Sequence, residues 1–294
     1  MIKRSVVLES PSSLSLRNNQ MVILNKESKE SNMLSIEDLG VLIIENPMIS
    51  ISIPLINALT DNNVAVVFCD KKQMPSSMLQ PLVGNNVQSE VYKSQIGTTE
   101  AQRKRLWKQI IECKIKNQSL LLTKLNKKGD ILKPYYMNVK SGDLDNREGL
   151  AAKLYWKELF GSDFVRDRDF DGINILLNYG YSILRAAVAR AIIGSGLYPA
   201  FGLFHKSRYN AFPLADDVME PYRSYVDEVV YQLVQNGNLE LNKSTKSELI
   251  KVIHADASFP SVMRPLQIGL SITTASLVRC LSGEEKTIQY PIIK

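Results

Sequence analysis

The feature that most constrains this 294-residue chain is a change of hydrophobic period near residue 80. Before it, Val, Ile and Leu gather in short runs at 5–8, 14–17, 21–24, 41–45 and 64–69, lengths that suit strands. Asn18 and Asn19 supply a hairpin turn between the second and third runs. A short helix is predicted over 53–59, ended by Asp61-Asn62-Asn63. Beyond residue 87 the spacing turns helical, with helices predicted over 100–125, 146–160, 171–193, 216–234, 244–254 and 261–281. Thr98 and Thr99 stand where the first of these begins, Asp171 is placed as an N-cap, and Gly194 and Gly196 end the helix it opens. The expected fold class is α+β: a small N-terminal β-rich domain over 1–74, a linker over 75–86 marked by Pro75, Pro81 and Gly84, and a larger all-helical domain over 87–283. The tail, 284–294, has no strong pattern.

Composition narrows the class. A hydrophobic fraction of 45% with 22% charged residues describes a globular chain. Its apolar runs are broken by charged residues, so no segment is expected to cross a membrane, and Met1-Ile2-Lys3-Arg4-Ser5 is not followed by a signal-peptide core. Cys69, Cys113 and Cys280 are widely spaced and odd in number, which suggests reduced thiols in a cytoplasmic protein. The net charge of +6 is uneven. Residues 1–80 carry seven Lys/Arg against eight Asp/Glu, so the excess of positive charge lies in the helical part, where any nucleic acid would bind.

No phosphate-binding glycine loop, dinucleotide fingerprint or nucleophile elbow is present. Candidate chemistry therefore rests on scattered polar residues. Ala152, Tyr155, Trp156 and Leu159 form an apolar helical stripe, and Glu148 falls within it. A carboxylate there wants a metal or an Arg as partner, unless its end stays wet in the first turn. His205 sits between two predicted helices and has the chemistry of a metal ligand or a general base. On a continuous helix over 216–234, Glu220 falls with Asp216, Arg223 and Asp227 on the face opposite the apolar stripe, as a solvated face would. Asp216 or Asp217 with Glu220 puts two carboxylates within one turn, and Pro221 suits a helix start later than Asp216. Carboxylates and a histidine together make a hard site suited to Mg²⁺ or Mn²⁺, with Lys206, Arg208 and Arg223 placed to neutralise phosphate. Trp107 and Trp156 are read as core, and the basic run from Arg103 to Lys108 as a helix face within reach of phosphate.

Four blocks in order resemble the integrase subunit of CRISPR spacer acquisition, the first of the two universal CRISPR-associated proteins. They are Asn146-Arg147-Glu148-Gly149-Leu150-Ala151-Ala152, Leu176-Leu177-Asn178-Tyr179-Gly180-Tyr181, Leu197-Tyr198-Pro199-Ala200-Phe201-Gly202-Leu203-Phe204-His205, and Asp217-Val218-Met219-Glu220-Pro221-Tyr222-Arg223. The resemblance implies that the helical domain is catalytic. It puts the metal ligands at Glu148, His205 and Glu220, with Asp217 as an auxiliary acid. The chain departs from the family in having Tyr198-Pro199 for the usual His-Pro, and Glu rather than the frequent Asp at the last ligand. The resemblance further implies Mg²⁺ or Mn²⁺ as cofactor, double-stranded DNA as substrate, and a homodimer. Two such dimers are bridged by the small second universal CRISPR-associated protein, and one active site in each dimer acts. The implied reaction is attack of a prespacer 3′-hydroxyl on a phosphodiester at the repeat border. The length and small β domain look like the type II members that accompany the Cas-nine type of effector. A structure-specific nuclease on branched DNA and a non-catalytic DNA-binding scaffold are the competing readings.

Overall fold

A computed structural model describes residues 3–167 and 171–294, and the chain divides into two compact units, Met1–Gly84 and Asn85–Lys294. The first unit holds β1 (Arg4–Leu8), β2 (Ser12–Arg17), β3 (Gln20–Asn25), β4 (Ser31–Ser35), β5 (Leu39–Ile44), β6 (Ser50–Ile51), α1 (Ile53–Asp61), β7 (Ala65–Cys69) and β8 (Pro75–Leu79). Two four-stranded sheets result, one in the order β1-β5-β7-β8 and the other β4-β3-β2-β6. Strand β5 is buried along its whole length, as expected of a central strand paired in parallel on both edges, with β1 and β7. The β2–β3 turn uses Asn18 and Asn19 at φ 50° and 55°, the left-handed pair that a tight hairpin requires. Leu55 and Leu59 of α1 join Leu14, Met21, Ile36, Leu42 and Val66 in one core.

The five predicted strands and the short helix all form, and the boundary of the unit differs. Residues 75–79, expected in a linker, pair antiparallel with β7 as β8. Pro75 is the first residue of an edge strand, where a missing N–H costs no ladder bond.

The second unit contains α2 (Gln88–Gly97), α3 (Glu100–Lys124), α4 (Lys133–Tyr136), α5 (Arg147–Phe160), α6 (Ile173–Gly194), α7 (Pro213–Met219), α8 (Arg223–Gln235), α9 (Lys243–Lys251), β9 (Asp256–Ser258), β10 (Met263–Pro265) and α10 (Leu266–Ser282). Helix α3 starts where Thr99 accepts a hydrogen bond from the Gln102 N–H, a side-chain cap. Helix α6 is apolar nearly all round and buried accordingly. It approaches α8 so closely that a Cβ on Gly180 would lie 2.5 Å from Val226 Cγ1. No helix among the described residues is long and apolar enough to cross a membrane.

Four expectations are corrected here. The unit is not all-helical: β9 and β10 form an antiparallel ribbon, so the helix predicted from residue 261 begins only at Leu266, with Pro265 at its N-cap position. Strands of three residues are too short to show a period. Gly172, at φ 68°, takes the N-cap position of α6 that was expected of Asp171. The helix predicted over 216–234 is two helices, α7 and α8, joined by a 3₁₀ turn at Glu220–Tyr222.

The tail, finally, is part of the core. Tyr290 and Ile293 are buried, and the Ile292 N–H donates to the Ser258 carbonyl at 2.8 Å, adding the tail to the ribbon. Asn117 of α3 fastens this segment. Its Nδ2 donates to the carbonyls of Pro221 (2.8 Å) and Pro291 (3.1 Å), and its Oδ1 accepts from the Ile293 N–H (3.3 Å). Asn117→Ala should leave three buried backbone groups unpaired and cost about 2–4 kcal/mol. The expected readout is a lower denaturant midpoint with faster hydrogen exchange at Ile292 and Ile293. Unchanged exchange there would show that the tail is held by other contacts.

Candidate active site

The site is built on α3. Trp107, Ile111, Lys114, Gln118 and Leu121 follow one another at intervals of four and three residues and are all buried, so Lys114 stands on the apolar stripe of its helix. A lysine there needs a carboxylate, and it has two. Its Nζ lies 2.5 Å from Glu148 Oε1 and 2.6 Å from Glu220 Oε2.

Glu148 reaches Lys114 from the first turn of α5. Asn146 caps that helix by accepting from the Gly149 N–H, and the Asp143 carboxylate accepts from the N–H groups of Arg147 (2.8 Å) and Glu148 (3.1 Å). Glu220 arrives from the 3₁₀ turn. Pro221 lacks an N–H and its ring crowds the carbonyl four residues back, so the α7 repeat breaks there and tightens. Glu220 is 4% exposed and lines one pocket with Arg223 and Asp227, the last at 0% exposure, so the face expected to be solvated is buried. Arg223 Nε completes the cluster at 2.9 Å from Glu220 Oε2. Burial alone would raise the Glu220 carboxyl, but Arg223 and Lys114 outweigh it and bring it down to about 2. For Lys114, burial lowers the ammonium and the two carboxylates more than restore it, so it is held above its ordinary range.

His205 lies in the loop between α6 and α7, which folds around Asp217. That carboxylate is fully buried and accepts from the N–H groups of Leu203 (2.6 Å), Phe204 (3.0 Å) and His205 (3.2 Å), and from His205 Nδ1 (2.6 Å). Burial pushes Asp217 up. Four donors converging on two oxygens nevertheless leave no acceptor site for a proton, and we read it as a carboxylate. Its hydrogen bond raises the His205 ring above the ordinary value, and Glu220 adds to the effect. With Nδ1 committed to Asp217, Nε2 is the nitrogen left to meet an outside group. The ring stands edge-on to Trp107 at 5.7 Å, and Phe204 stacks on the same indole at 4.3 Å. Gly202 allows the loop to close, since a Cβ there would lie 2.5 Å from the His205 carbonyl oxygen.

Behind the cluster is a second buried layer. Arg223 lies over the Tyr181 ring at 4.6 Å, and Arg166 over the same ring at 5.5 Å. Tyr181 and Tyr155 both donate to Asp227, Tyr155 at 2.7 Å. A pocket of about 260 Å³ opens against this wall, lined by Lys114, Trp156, Arg166, Glu220 and Arg223 among others. A second pocket, about 600 Å³, has His205, Lys206, Arg208 and Arg103 on its walls.

Of the residues expected from sequence, Glu148 and Glu220 meet at one cation, and His205 is oriented by Asp217 on the loop before α7, within electrostatic reach of Glu220. Lys206 and Arg208 are exposed on the loop, with Arg208 over the Tyr209 ring at 4.7 Å. Arg223, expected at phosphate, is bonded to Glu220. Asp216 pairs with Arg185 at 2.6 Å and turns away from the cluster. Tested against a divalent ion, the donors fit in kind: two carboxylates and an imidazole are hard ligands for Mg²⁺ or Mn²⁺. Their spacing is that of an ion-pair cluster. Among the described residues no three His, Cys, Asp or Glu side chains are grouped to hold a metal, and the Lys114 ammonium occupies the space between the two glutamates. Sequence reasoning missed Lys114, Tyr155, Arg166 and Asp227. The signal for Lys114 was a charge at a buried position of the α3 stripe.

The chain matches the family described as CRISPR associated protein Cas1 over residues 6–264. A CRISPR-associated endonuclease Cas1 from Neisseria meningitidis serogroup C (strain 8013) is 38% identical over 261 residues, spanning 87% of this chain and 84% of the relative. The chain belongs to the Cas1 family of CRISPR-associated proteins. Among solved structures, a casposase bound to integration product has the same fold at TM-score 0.81 and 21% identity, covering 98% of this chain and 92% of the other. A chain of a Cas6-RT-Cas1–Cas2 complex matches at TM-score 0.77 and 18% identity, covering 99% of this chain and 36% of that one.

The Asp227 layer carries a pH signature. Burial outweighs the two phenol hydrogen bonds and pushes this carboxyl up from 3.8 to about 6. A raised acid contributes stability that is complete below its unfolded pKa and lost as pH rises through its folded one. Compared with Asp227→Asn, the wild-type chain should therefore lose about 2 kcal/mol of relative stability between about pH 4.5 and 7.5. Denaturant melts of both proteins across that range measure it, and parallel pH curves would show that Asp227 ionises normally.

Proposed function

We propose that this protein is a metal-dependent DNA integrase that joins prespacer ends into a CRISPR array, with Glu148, His205 and Glu220 as the ligands of Mg²⁺ or Mn²⁺. The observation that carries the reading is the convergence of Glu148 and Glu220, from separate helices, on one cation beside an imidazole fixed by Asp217. Bound among these groups, the ion would polarise the phosphodiester and stabilise charge developing on the leaving oxygen. The rest is done by the chain. Asp217 orients His205 so that Nε2 faces outward, as ligand or as acceptor of the attacking hydroxyl's proton. Arg223 keeps Glu220 ionised at neutral pH. Lys206 and Arg208, on the exposed loop, supply positive charge to the DNA backbone. In the reaction the prespacer 3′-oxygen bonds to phosphorus as the 3′-oxygen of the repeat strand departs, so one phosphodiester replaces another and no external energy source is needed.

Family membership and the likeness in fold to a casposase bound to integration product support joining. The likeness to a Cas1–Cas2 complex supports an assembly in which two homodimers are bridged by the small second CRISPR-associated protein. The identity to the Neisseria relative supports the type II assignment. The relatives' name, endonuclease, favours a second reading in which water replaces the 3′-hydroxyl as nucleophile on branched DNA. A third, a non-catalytic scaffold, draws on the fact that both glutamates already have cationic partners.

The decisive experiment incubates the protein and its small partner with a 3′-hydroxyl duplex and a supercoiled repeat-bearing plasmid, with and without Mg²⁺ or Mn²⁺. Joined product is expected. Glu148→Gln, His205→Ala and Glu220→Gln should each lower joining by about a hundredfold or more while duplex binding persists. Cleavage without joining would favour the nuclease, and no metal-dependent product would leave the scaffold.

A further inference from the structure

The ammonium between the two proposed ligands is the least expected feature of the site. Lys114 spends two of its three N–H donors on Glu148 and Glu220, at 2.5 and 2.6 Å, from a position 9% exposed. Glu148, Glu220, Lys114 and Arg223 together sum to zero charge, so the cluster is neutral with no ion bound. A divalent ion placed on the same carboxylate oxygens would lie against a fixed positive charge. Lys114, however, is on a flexible four-carbon stem and lines the 260 Å³ pocket, whose Lys114, Arg166 and Arg223 are balanced by Asp167, Glu220 and Asp227 until an ion takes up the glutamate charge and leaves the ammonium to meet a phosphate.

From this we infer that Lys114 is a displaceable counter-ion: it holds Glu148 and Glu220 together until a divalent ion binds, competes with that ion for their oxygens, and turns to the DNA phosphate when displaced. The inference rests on the metal-site reading above and adds regulation to it. Two consequences follow from the competition. Metal affinity is kept low in the free protein, and DNA raises it, because the phosphate gives the displaced ammonium a new partner. By reciprocity the metal tightens DNA at the same site. Lys114 is thus a positioning residue in the free protein, and its effect has a sign that a merely structural lysine would not show. Removing a structural support loosens a metal site, whereas removing a competitor tightens it.

The test measures Mn²⁺ binding to the full chain by electron paramagnetic resonance of the free ion, with and without a duplex ending in a 3′-dideoxynucleotide that cannot join. The wild type should bind Mn²⁺ about tenfold more tightly with the duplex than without it. Lys114→Met should bind Mn²⁺ about tenfold or more tightly than wild type without DNA, and lose most of the enhancement by DNA. Lys114→Arg, which keeps the charge, should retain weak binding. Thermal melts report whether each variant folds, and Lys114→Gln replaces the Met variant if that one does not. Mn²⁺ should also raise the melting temperature of the neutral variant more than that of wild type, since it relieves Glu148, which has lost its cation, and Glu220, which has lost one of two. A folded neutral variant that binds Mn²⁺ as weakly as wild type, or more weakly, overturns the inference. Glu148→Gln separates this outcome from failure of the site itself. If it weakens Mn²⁺ binding and Lys114→Met does not tighten it, only the counter-ion role falls. If Glu148→Gln changes nothing, the metal-site reading falls too.

Discussion

Two carboxylates held within a few ångströms of one ammonium, beneath the surface of a helical unit, set most of what surrounds them. Removing an ion from water costs several kcal/mol after relaxation, and the mutual attraction of the group offsets this only where every member is paired. Here each is: Lys114 has both glutamates, and Glu220 has Lys114 and Arg223. Arg223 in turn rests on the face of Tyr181, whose hydroxyl donates to Asp227. Loss of Lys114 would take the cation from Glu148 and loss of Glu220 the carboxylate from Arg223, so α3, α5 and the turn between α7 and α8 are tied to one another by electrostatics as well as by apolar packing. A cluster of this kind adds little to net stability compared with an apolar replacement. Its value is in placing two acids from distant parts of the sequence at one point.

Helix α3 is the reference to which the other pieces are set. Along its buried side Trp107 receives Phe204 and the edge of His205, Lys114 receives Glu148 and Glu220, and Asn117 receives the carbonyls of Pro221 and Pro291. One straight element thus fixes the imidazole, the acids and the turn that presents the second acid. The C-terminal segment enters the same framework through Asn117, which links Ile293 and Pro221 across one side chain. The tail carries no periodic pattern because its role is to cap existing groups, one residue at a time, and not to present a face.

What could be read in the sequence follows from how local each cause is. The strands of the first unit and the start of α3 at Thr99 have causes within a few residues, and they were legible. Glu148 was legible for the same reason, a charge inside an apolar stripe. The position of Glu220 was not. Glu220 shares a face with Arg223 and Asp227, as helical phase gives, but that face is buried against Lys114, Tyr155 and Tyr181 from other helices, and phase alone reads a charged face as solvated. His205 had no local signal, since its orientation comes from Asp217 twelve residues later folding the loop around one carboxylate; the resemblance of the surrounding block singled it out. Strand β8 and the β9–β10 ribbon were hidden by shortness and by prolines that also suit linkers and turns. Lys114 is a different case. Its position on the stripe was as clear as that of Glu148, and what was missing was the question of which acid it would need.

The two sides of the cluster differ in stiffness, and the difference bears on chemistry. Asp217 is held by three backbone N–H groups and an imidazole, so rotating the His205 ring would cost it one of four hydrogen bonds, about 1–3 kcal/mol. Lys114 is held by two ion pairs and not by backbone: four rotatable bonds separate its ammonium from α3, and a pocket lies beside it. On the proposed reading, a site that accepts an ion and a phosphate together would gain from this asymmetry. The imidazole would then be in place before either arrives, where orientation matters most. On that reading the ammonium has to be able to leave, because Glu220 Oε2 already serves Lys114 and Arg223 together. An imidazole fixed by Asp217 and a displaceable Lys114 would, on the same reading, keep Glu148 and Glu220 assembled at rest and open to exchange when an ion and DNA bind.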